Sequence, residues 1–314
     1  MNNKMTDLSL VKKLREATSC GIADCNKALN ESSGDFEKAL DWLRKKGLSS
    51  AVKKSGRITS EGAVGVYLNA NCGTIIEVNS ETDFVARNQK FQEFVRNIAI
   101  LASKFGSDVE KLKAAIYPNS NVKLEEEIKN QIAVIGENIN IRRIDNLKID
   151  QGIIASYIHN IVADNLGKIA VLVALESQAD KEKLEKLGKQ IAMHIAAAKP
   201  EALTVELIDP IKLNREVEIL KEQVKNSGKP ENIVEKMIQG RIRKYHEEVV
   251  LAEQAFIMDD KIKIKDLLNN FAKENGAPVV IKDFKLFILG QGIEKKEGDF
   301  AAEVAAIAGS SSNS

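Results

Sequence analysis

The sequence predicts an α+β fold with an N-terminal helical module, a two-part antiparallel-sheet core and an inserted helical hairpin. Three observations support this prediction. Helical periodicity fills residues 9–46 in three stretches. Two β-rich runs followed by a helical stretch occur twice in the same order, at residues 62–101 and 151–199, and such a repeat suggests two related strand-strand-helix units in one core. Residues 209–252 then hold two helical stretches separated by Ser227-Gly228-Lys229-Pro230.

The composition argues against several kinds of partner. The chain has 314 residues, which is enough for about two domains. Its 46 Lys and Arg residues balance 45 Asp and Glu residues, so no global charge demands a nucleic acid or an anionic membrane. Aromatic residues make up only 5% and do not interleave with a basic run, which argues against direct binding of single-stranded nucleic acid. A partner that binds through charge must therefore be recognised by a local charged patch, since the net charge of the chain is close to zero.

The cysteine spacing and the lack of recognisable targeting signals predict a soluble cytoplasmic protein. The three cysteines have no C-x-x-C spacing, which argues against a disulfide framework and a zinc site. The N-terminal MNNKMTDLSL lacks the apolar stretch of a secretory signal. The longest apolar run, IAVLVAL at residues 169–175, is too short for a bilayer that needs about 20 residues.

Residues 1–57 are expected to form a three-helix module and a linker. The helical stretches are SLVKKLREAT, ADCNKALNESS and DFEKALDWLRKK, and the polar GLSSAVKKSGRITSEG at residues 47–62 is interpreted as the linker. Twelve Lys and Arg against seven Asp and Glu give this part a net charge of +5. The excess is either a site for an acidic partner or a solvated basic face.

The stretch EVNSETDFVARNQKF at residues 77–91 raises the question of why Phe84 is there. Thr82 or Asp83 is expected to cap the following helix, because a side-chain oxygen accepts a hydrogen bond from a free backbone N–H. Phe84 lies one heptad before Phe91 and could simply join the buried stripe of that helix. The second copy of the repeat, however, has ESQAD at this place and starts a similar helix without an aromatic. The architecture therefore does not require Phe84, which favours a functional role.

The two repeats define the predicted core. In residues 58–145, GAVGVYLNANCGTIIEVN predicts an antiparallel hairpin. The helix after it carries an apolar stripe of Phe91, Phe94, Val95, Ile98 and Leu101. In residues 146–208, QGIIASYIHN and GKIAVLVALES predict a second hairpin, with its turn in HNIVADNLGK, and KEKLEKLGKQIAMHIAAAK predicts a helix.

Residues 209–252 predict the antiparallel helical hairpin. Asp209 and Pro210 are capping and first-turn signals. The apolar stripes consist of Val217, Leu220 and Val224 on the first helix and Ile233, Met237 and Ile242 on the second. Surplus apolar surface on such a hairpin invites a partner or a second copy, so a homodimer is one expectation. Residues 253–292 predict strand, helix and strand that complete the sheet, and residues 293–314 a short helix and a disordered tail.

The sequence lacks the motifs of common catalytic sites. It has neither a G-x-x-x-x-G-K-[ST] phosphate loop nor a G-x-G-x-x-G fingerprint, so no nucleotide cofactor is expected. His159, His194 and His246 stand far apart without an H-E-x-x-H motif, so no metal is expected and each is interpreted as a packed or surface histidine. No G-x-S-x-G elbow is present. A binding protein is favoured over an enzyme.

Five motifs resemble the bacterial elongation factor Ts family: SLVKKLREATSCGIADCNKAL, VNSETDFVARNQKF, IGENINIRR, IAMHIAAAKPEAL and SGKPENIVEKMIQGR. They occur in the family's order, and the likeness runs from about Leu8 to the DFAAEVAA stretch near residue 300. The resemblance implies an N-terminal module similar to a ubiquitin-associated domain, a two-part α+β core and a protruding helical hairpin.

The resemblance also implies guanine-nucleotide exchange on elongation factor Tu, the GTPase that delivers aminoacyl-tRNA to the ribosome. In the family, the T-D-F-V segment enters the partner's nucleotide domain and disturbs its magnesium site. Here this segment is Thr82, Asp83, Phe84 and Val85.

By the same family pattern, the N-terminal module docks on the partner through Lys12, Arg15, Ile22 and Ala23. The main alternative is a non-catalytic scaffold or chaperone-like binding module that leaves the nucleotide unaffected. A third class, a small-molecule enzyme, would need a pocket of converging polar groups.

Overall fold

The structure, a computed structural model, describes residues 8–18, 20–225 and 231–294. It confirms the predicted α+β class, because helices precede and flank an antiparallel sheet. The helix and tail expected within residues 293–314 lie outside the described residues from position 295 onward, as does the Ser227-Gly228-Lys229-Pro230 break. None of the helices in those ranges combines the length and the apolar character that a membrane span requires.

The N-terminal module consists of helices α1 (Leu8–Thr18), α2 (Ile22–Glu31) and α3 (Phe36–Lys54). Asp35 caps α3, since its carboxylate accepts a hydrogen bond of 3.1 Å from the backbone N–H of Lys38. The three helices enclose a small core of Val11, Leu14, Cys25, Ala28, Leu29, Ala39 and Leu43.

The first half of the core follows the module. It comprises β1 (Glu61–Asn69), β2 (Cys72–Ser80), α4 (Gln89–Ala102), α5 (Val109–Ala114), α6 (Leu124–Ile135) and β3 (Ile139–Lys148). Phe91, Phe94, Val95 and Ile98 are buried along α4, as their spacing predicts, and Leu101 is half-buried against the same cluster. The sequence patterns predicted none of the elements α5, α6 and β3.

The prediction of a linker at residues 47–62 was wrong for its first half. Helix α3 continues to Lys54 and packs along α6, with Gly47 and Ala51 buried one turn apart. A Cβ on Gly47 would lie 2.6 Å from the Cβ of Ala133, so the missing side chain is what allows this close approach. Small and polar residues, which locally suggest a loop, here form a helix–helix contact.

The second half of the core contains β4 (Gly152–Ala163), β5 (Leu166–Ser177), α7 (Lys181–Ala198), α8 (Pro210–Lys225) and α9 (Glu231–Val249), followed by β6 (Ala255–Phe256), β7 (Asp259–Lys263), α10 (Ile264–Asn275) and β8 (Val279–Ile288). Helices α8 and α9 form the predicted hairpin, and Asp209 caps α8 through a 2.9 Å bond from the N–H of Ile211. The side chains of Leu220 and Val224, expected on its stripe, lie outside the described part of the chain.

The turn between β4 and β5 is shorter than the sequence HNIVADNLGK suggested. Strands β4 and β5 continue through most of this stretch and leave only Asp164 and Asn165 between them. Asn165 adopts a left-handed φ of 62°, which Asn tolerates better than most residues. The stretch therefore forms a long hairpin rather than a loop.

The two halves share one six-stranded sheet in the order β3-β2-β1-β5-β4, with β8 paired to β5. Strands β1 and β5 are joined by only two residue pairs, Val64 with Gly167 and Gly65 with Leu166. Side chains alternate across a strand, so each half buries one face under its own helices. The other face forms a cluster from both halves that contains Val64, Val66, Ile75, Leu147, Ile149, Ala170, Leu172, Ala174 and Phe287.

Glu77 of β2 is fully buried at this junction and holds a charge cluster together. Its carboxylate pairs with Arg142 at 3.0 Å and Arg143 at 2.6 Å, both in the middle of β3. It also accepts hydrogen bonds from the N–H of Gly290, just after β8, at 2.9 Å and from the amide of Asn79 at 3.1 Å. The carboxylate thus links β2, β3 and the chain that leaves β8.

Burial alone would raise the pKa of Glu77, because it penalises the charged form. The Gly290 N–H and the two arginines outweigh that effect and hold the pKa below its ordinary value. A carboxylate whose pKa is lowered on folding stabilises the fold above its unfolded pKa of about 4.3. This contribution is lost as the pH falls through the lower, folded pKa.

We expect Glu77→Gln to lower the free energy of unfolding by about 3 kcal/mol at pH 7, since removing one partner of a buried pair leaves the other charges uncompensated. Urea unfolding measures this loss, and the gap between variant and parent should narrow below about pH 4. The control Glu125→Gln removes only the exposed pair with Lys129. It should cost less than about 0.5 kcal/mol. Equal losses in both variants would contradict a special role for the Glu77 cluster.

Candidate partner-binding site

Phe84 stands on an irregular turn between β2 and α4. The turn spans residues 81–88 and contains a short 3-10 helix at Val85–Arg87. The side chain of Phe84 is 74% exposed, whereas Phe91 is 0% exposed. The interpretation that Phe84 joins the buried stripe of α4 was therefore wrong, because α4 begins only at Gln89 and the heptad spacing does not apply across the turn.

The expected helix cap was also wrong. Asn88 caps α4, and its side-chain oxygen accepts bonds from the N–H groups of Lys90 at 2.9 Å and Phe91 at 3.4 Å. Asp83 instead lies on the surface, with its carboxylate 3.7 Å from the guanidinium of Arg87. An exposed pair of this kind contributes little to stability, so Asp83 keeps a charge available beside Phe84.

The N-terminal side of the turn is held by residues that precede β3. Glu137 accepts two hydrogen bonds from Thr82, one from its N–H at 2.8 Å and one from its hydroxyl at 2.6 Å. Glu81 accepts a bond of 2.6 Å from the N–H of Asn138 and pairs with Arg57 at 3.2 Å. Glu137 lies within the IGENINIRR motif, but no local pattern in the sequence pointed to its contact with Thr82.

The C-terminal side of the turn is held by burial. Val85 is 5% and Ala86 3% exposed, and Val85 packs in the core of the first half. The amide of Gln92 donates a 3.0 Å bond to the carbonyl of Ala86, and the N–H of Arg87 donates to the carbonyl of Phe84 at 3.1 Å. Of the four residues of the T-D-F-V segment, Thr82 and Val85 therefore anchor the turn, while Phe84 and Asp83 face outward.

This arrangement leaves an aromatic side chain exposed to solvent on a turn that is fixed at both ends. An aromatic side chain buries about 150–250 Å² when it enters a pocket. Because the turn is fixed at both ends, little backbone entropy remains to be lost on binding. The site is suited to insertion between elements of another protein rather than to chemistry on a small molecule.

The residues expected on the N-terminal module are all exposed. Lys12 and Arg15 lie three positions apart on α1 and so share one face, while Val11 and Leu14 point into the module core. Ile22 is 52% exposed at the start of α2, and Ala23 beside it is also exposed. The module thus offers an apolar residue and two cations on its first two helices.

His194 is a packed histidine, as expected from the sequence, and it is fully buried in α7. Its Nδ1 accepts from the N–H of Ile257 at 3.3 Å, so its Nε2 carries the proton and donates to Gln254 at 2.9 Å. Burial lowers the pKa of His194, although the bond to Gln254 opposes the shift. The ring is therefore held neutral, and its role is structural: the amide of Gln254 donates onward to the carbonyl of Glu248 at the base of the helical hairpin.

Among residues 8–18, 20–225 and 231–294, no group of three or more His, Cys, Asp or Glu side chains is placed to hold a metal ion. His159 lies on the exposed part of β4, where its Nδ1 is 3.3 Å from the hydroxyl of Tyr157.

Comparison with known proteins gives consistent matches. A family model described as Elongation factor TS matches residues 81–291. The protein named Elongation factor Ts from Rhodospirillum centenum is 56% identical over 301 residues, which cover 96% of this chain and 98% of the relative. Proteins of the same name from Paramagnetospirillum magneticum and Rhodospirillum rubrum are each 52% identical, over 96% and 95% of this chain and 96% and 97% of their own lengths.

We expect Phe84→Ala to change the free energy of unfolding by less than about 0.5 kcal/mol, because an exposed side chain leaves no cavity. Phe91→Ala, the matched change on α4, should cost about 3 to 5 kcal/mol. Denaturant unfolding of both variants measures the difference. A large loss for Phe84→Ala would show that this side chain is buried in solution.

Proposed function

The chain belongs to the elongation factor Ts family, and from this premise we propose that it is a guanine-nucleotide exchange factor for the translation GTPase elongation factor Tu. The observation that carries the proposal is the exposure of Phe84 on a turn fixed at both ends. The protein binds the GDP form, releases GDP and so allows GTP to enter. It acts in the cytoplasm, where translation takes place, and it performs no covalent chemistry of its own.

The proposed mechanism acts on the magnesium and phosphate site of the partner. Mg²⁺ requires near-ideal octahedral geometry and bridges phosphate oxygens, so small displacements of its ligands lower nucleotide affinity. Phe84 enters the nucleotide domain and holds its elements apart, while Asp83 brings a negative charge to the same place. Thr82, Glu137 and Val85 keep the wedge in position, so that binding energy displaces the partner's elements instead of bending the turn.

A second contact comes from the N-terminal module. Lys12, Arg15, Ile22 and Ala23 form the surface that docks on the partner, and the net charge of +5 over residues 1–57 favours an acidic surface there. This contact is separate from the wedge, so it provides affinity without acting on the nucleotide. In this proposal the N-terminal module contributes affinity, and the Phe84 turn contributes nucleotide exchange.

The helical hairpin is proposed as a surface for self-association. Ile211, Ile219 and Ile233 are exposed along α8 and α9 by 79%, 41% and 43%. These side chains remain uncovered although the two helices pack on each other, which matches the surplus apolar surface expected from the sequence. We propose that a second copy of the chain covers these side chains. The proposed function does not include direct binding of nucleic acid.

The proposal is tested by timing the release of labelled GDP from elongation factor Tu. We expect the parent to accelerate release and Phe84→Ala to be slower by about tenfold or more. An aromatic anchor at an interface is worth about 2 kcal/mol or more, and each 1.4 kcal/mol is a factor of ten.

The control is Ile100→Ala, which removes another exposed large side chain from the outer face of α4. It should exchange at the parental rate. A folded Phe84→Ala variant that also keeps the parental rate would remove Phe84 from the mechanism. A parent that binds elongation factor Tu without accelerating release would favour the scaffold alternative.

A further test uses thermodynamic linkage, because coupling between two ligands of one protein is reciprocal. If the chain weakens GDP binding, GDP must weaken binding of the chain by the same factor. Titration calorimetry with elongation factor Tu, with and without excess GDP and Mg²⁺, should therefore show a lower affinity when nucleotide is present. Equal affinities would exclude an exchange mechanism.

A further inference from the structure

A short segment after α6 joins the N-terminal module to the Phe84 turn. It comprises residues 136–138, which lie between the end of α6 and the start of β3. Glu137 holds the N-terminal side of the turn, as described above. The carbonyl of Gly136 accepts a 2.6 Å bond from the ammonium group of Lys54, the last residue of α3. The segment therefore contacts both the module and the turn.

Asn138 makes the central contacts of this segment. It is only 6% exposed, and its amide donates hydrogen bonds to the carbonyls of Ser55 at 3.3 Å and Arg57 at 3.0 Å. Its backbone N–H donates to the carboxylate of Glu81 at 2.6 Å, and Arg57 pairs with the same carboxylate at 3.2 Å. Breaking these bonds would leave buried polar groups unpaired, which is costly. Asn138 therefore fixes the end of the module against the start of the Phe84 turn.

Helix packing holds the same junction further along α3. Gly47 and Ala51 are buried where α3 packs on α6. A side chain at Gly47 would push the helices apart, since its Cβ would lie 2.6 Å from the Cβ of Ala133. Nearer the start of α6, Arg44 forms an ion pair with Glu126. Contacts along the whole of α6 thus prevent α3 from swinging about the segment that follows α6.

We propose that Asn138 is a positioning residue for nucleotide exchange, because it joins the N-terminal module and the Phe84 turn into one rigid body. Gly47 has the same role, since it lets α3 lie directly on α6. This inference rests on the proposed function and adds that the two partner-binding surfaces act together. Docking of the module through Ile22 and its neighbours delivers Phe84 to one place on the partner.

The physical basis is the effective concentration of Phe84 at its site. Once the module is docked, insertion of Phe84 is an intramolecular step, and its probability depends on how narrowly the connection confines the turn. A loose connection lets the turn of a docked chain occupy many positions away from the site. Loosening the joint therefore slows exchange even when both surfaces keep all their side chains.

The test is a double-mutant cycle in the GDP-release assay, with the full chain below saturation. We expect Asn138→Ala to slow release by roughly tenfold, because the turn is no longer confined. Ile22→Asp should slow it by a similar factor, since it places a charge on the docking surface. Ile22 begins α2, where an acidic side chain is compatible with the helix. The double variant should be about as slow as the slower single variant, because the joint transmits nothing when the module does not dock.

A second variant loosens the joint at a place remote from the turn. Gly47→Leu should behave as Asn138→Ala does in the same cycle with Ile22→Asp. The control Ser49→Leu adds the same bulk two positions further along α3, on its exposed, opposite face. A second control, Asn130→Ala, removes an amide that donates to Glu127 on the same helix. Both controls should exchange at the parental rate, and melting temperatures show which variants are folded.

A measurement without the partner tests the joint itself. Amide nitrogen relaxation gives rotational correlation times for α2 in the module and for α4 in the core. We expect equal correlation times in the parent, because the two parts tumble together. In Asn138→Ala and Gly47→Leu, the correlation time of α2 should become shorter than that of α4.

Three outcomes would overturn the proposal. Additive losses in the double variants would show that Asn138 and Gly47 do not act through docking of the module. A shorter correlation time for α2 than for α4 in the parent would show that no rigid joint exists. A parent with one correlation time that does not accelerate GDP release would overturn the proposed function and, with it, the role of Asn138 in exchange, while the rigid joint would stand.

Discussion

The buried carboxylate of Glu77 is the constraint on which much of the core depends. The two halves of the sheet share only two backbone residue pairs between β1 and β5, so other contacts must fix their relative position. Glu77 does so by binding two arginines of β3 and the N–H of Gly290 after β8. Arg143 in turn lies over the ring of Phe287 at 4.2 Å and donates to the carbonyl of Ile288. Because a buried charge is tolerated only when it is paired and hydrogen-bonded, the cluster allows one arrangement of β2, β3 and β8.

The same strands position the exposed wedge. Strand β2 carries Glu77 and ends three positions later, at Ser80, where the turn of Phe84 begins. Strand β3 carries both arginines, and Glu137, which holds Thr82, lies two positions before it. The pairing that places the buried ions therefore also sets the distance between Glu137 and Thr82. In the proposed function, these contacts hold Phe84 as rigidly as a core residue. Binding would therefore displace elements of the partner and leave the Phe84 turn unchanged.

The internal repeat shows what is special about this turn. In the second copy, three residues separate β5 from α7, and Asp180 caps the helix directly. In the first copy, eight residues separate β2 from α4, and the cap is Asn88. The difference between ETDFV and ESQAD was visible in the sequence and favoured a role for Phe84. The added length of the turn was not visible, because Thr82, Asp83 and Asn88 are all acceptable caps and local propensity does not choose among them.

The sequence by itself determined the α+β class, the buried stripe of α4 and both hairpins, because side-chain direction repeats every 3.6 or 2 residues whatever the rest of the chain does. Its motifs also carried the family resemblance. Only the tertiary structure decided that α3 runs on through Gly47 and Ala51 to pack on α6, and that Val85 faces the core while Phe84 faces solvent. It alone brought Glu137 to Thr82 across 55 positions. These features depend on contacts between segments that are remote in the chain, and no local period encodes such proximity.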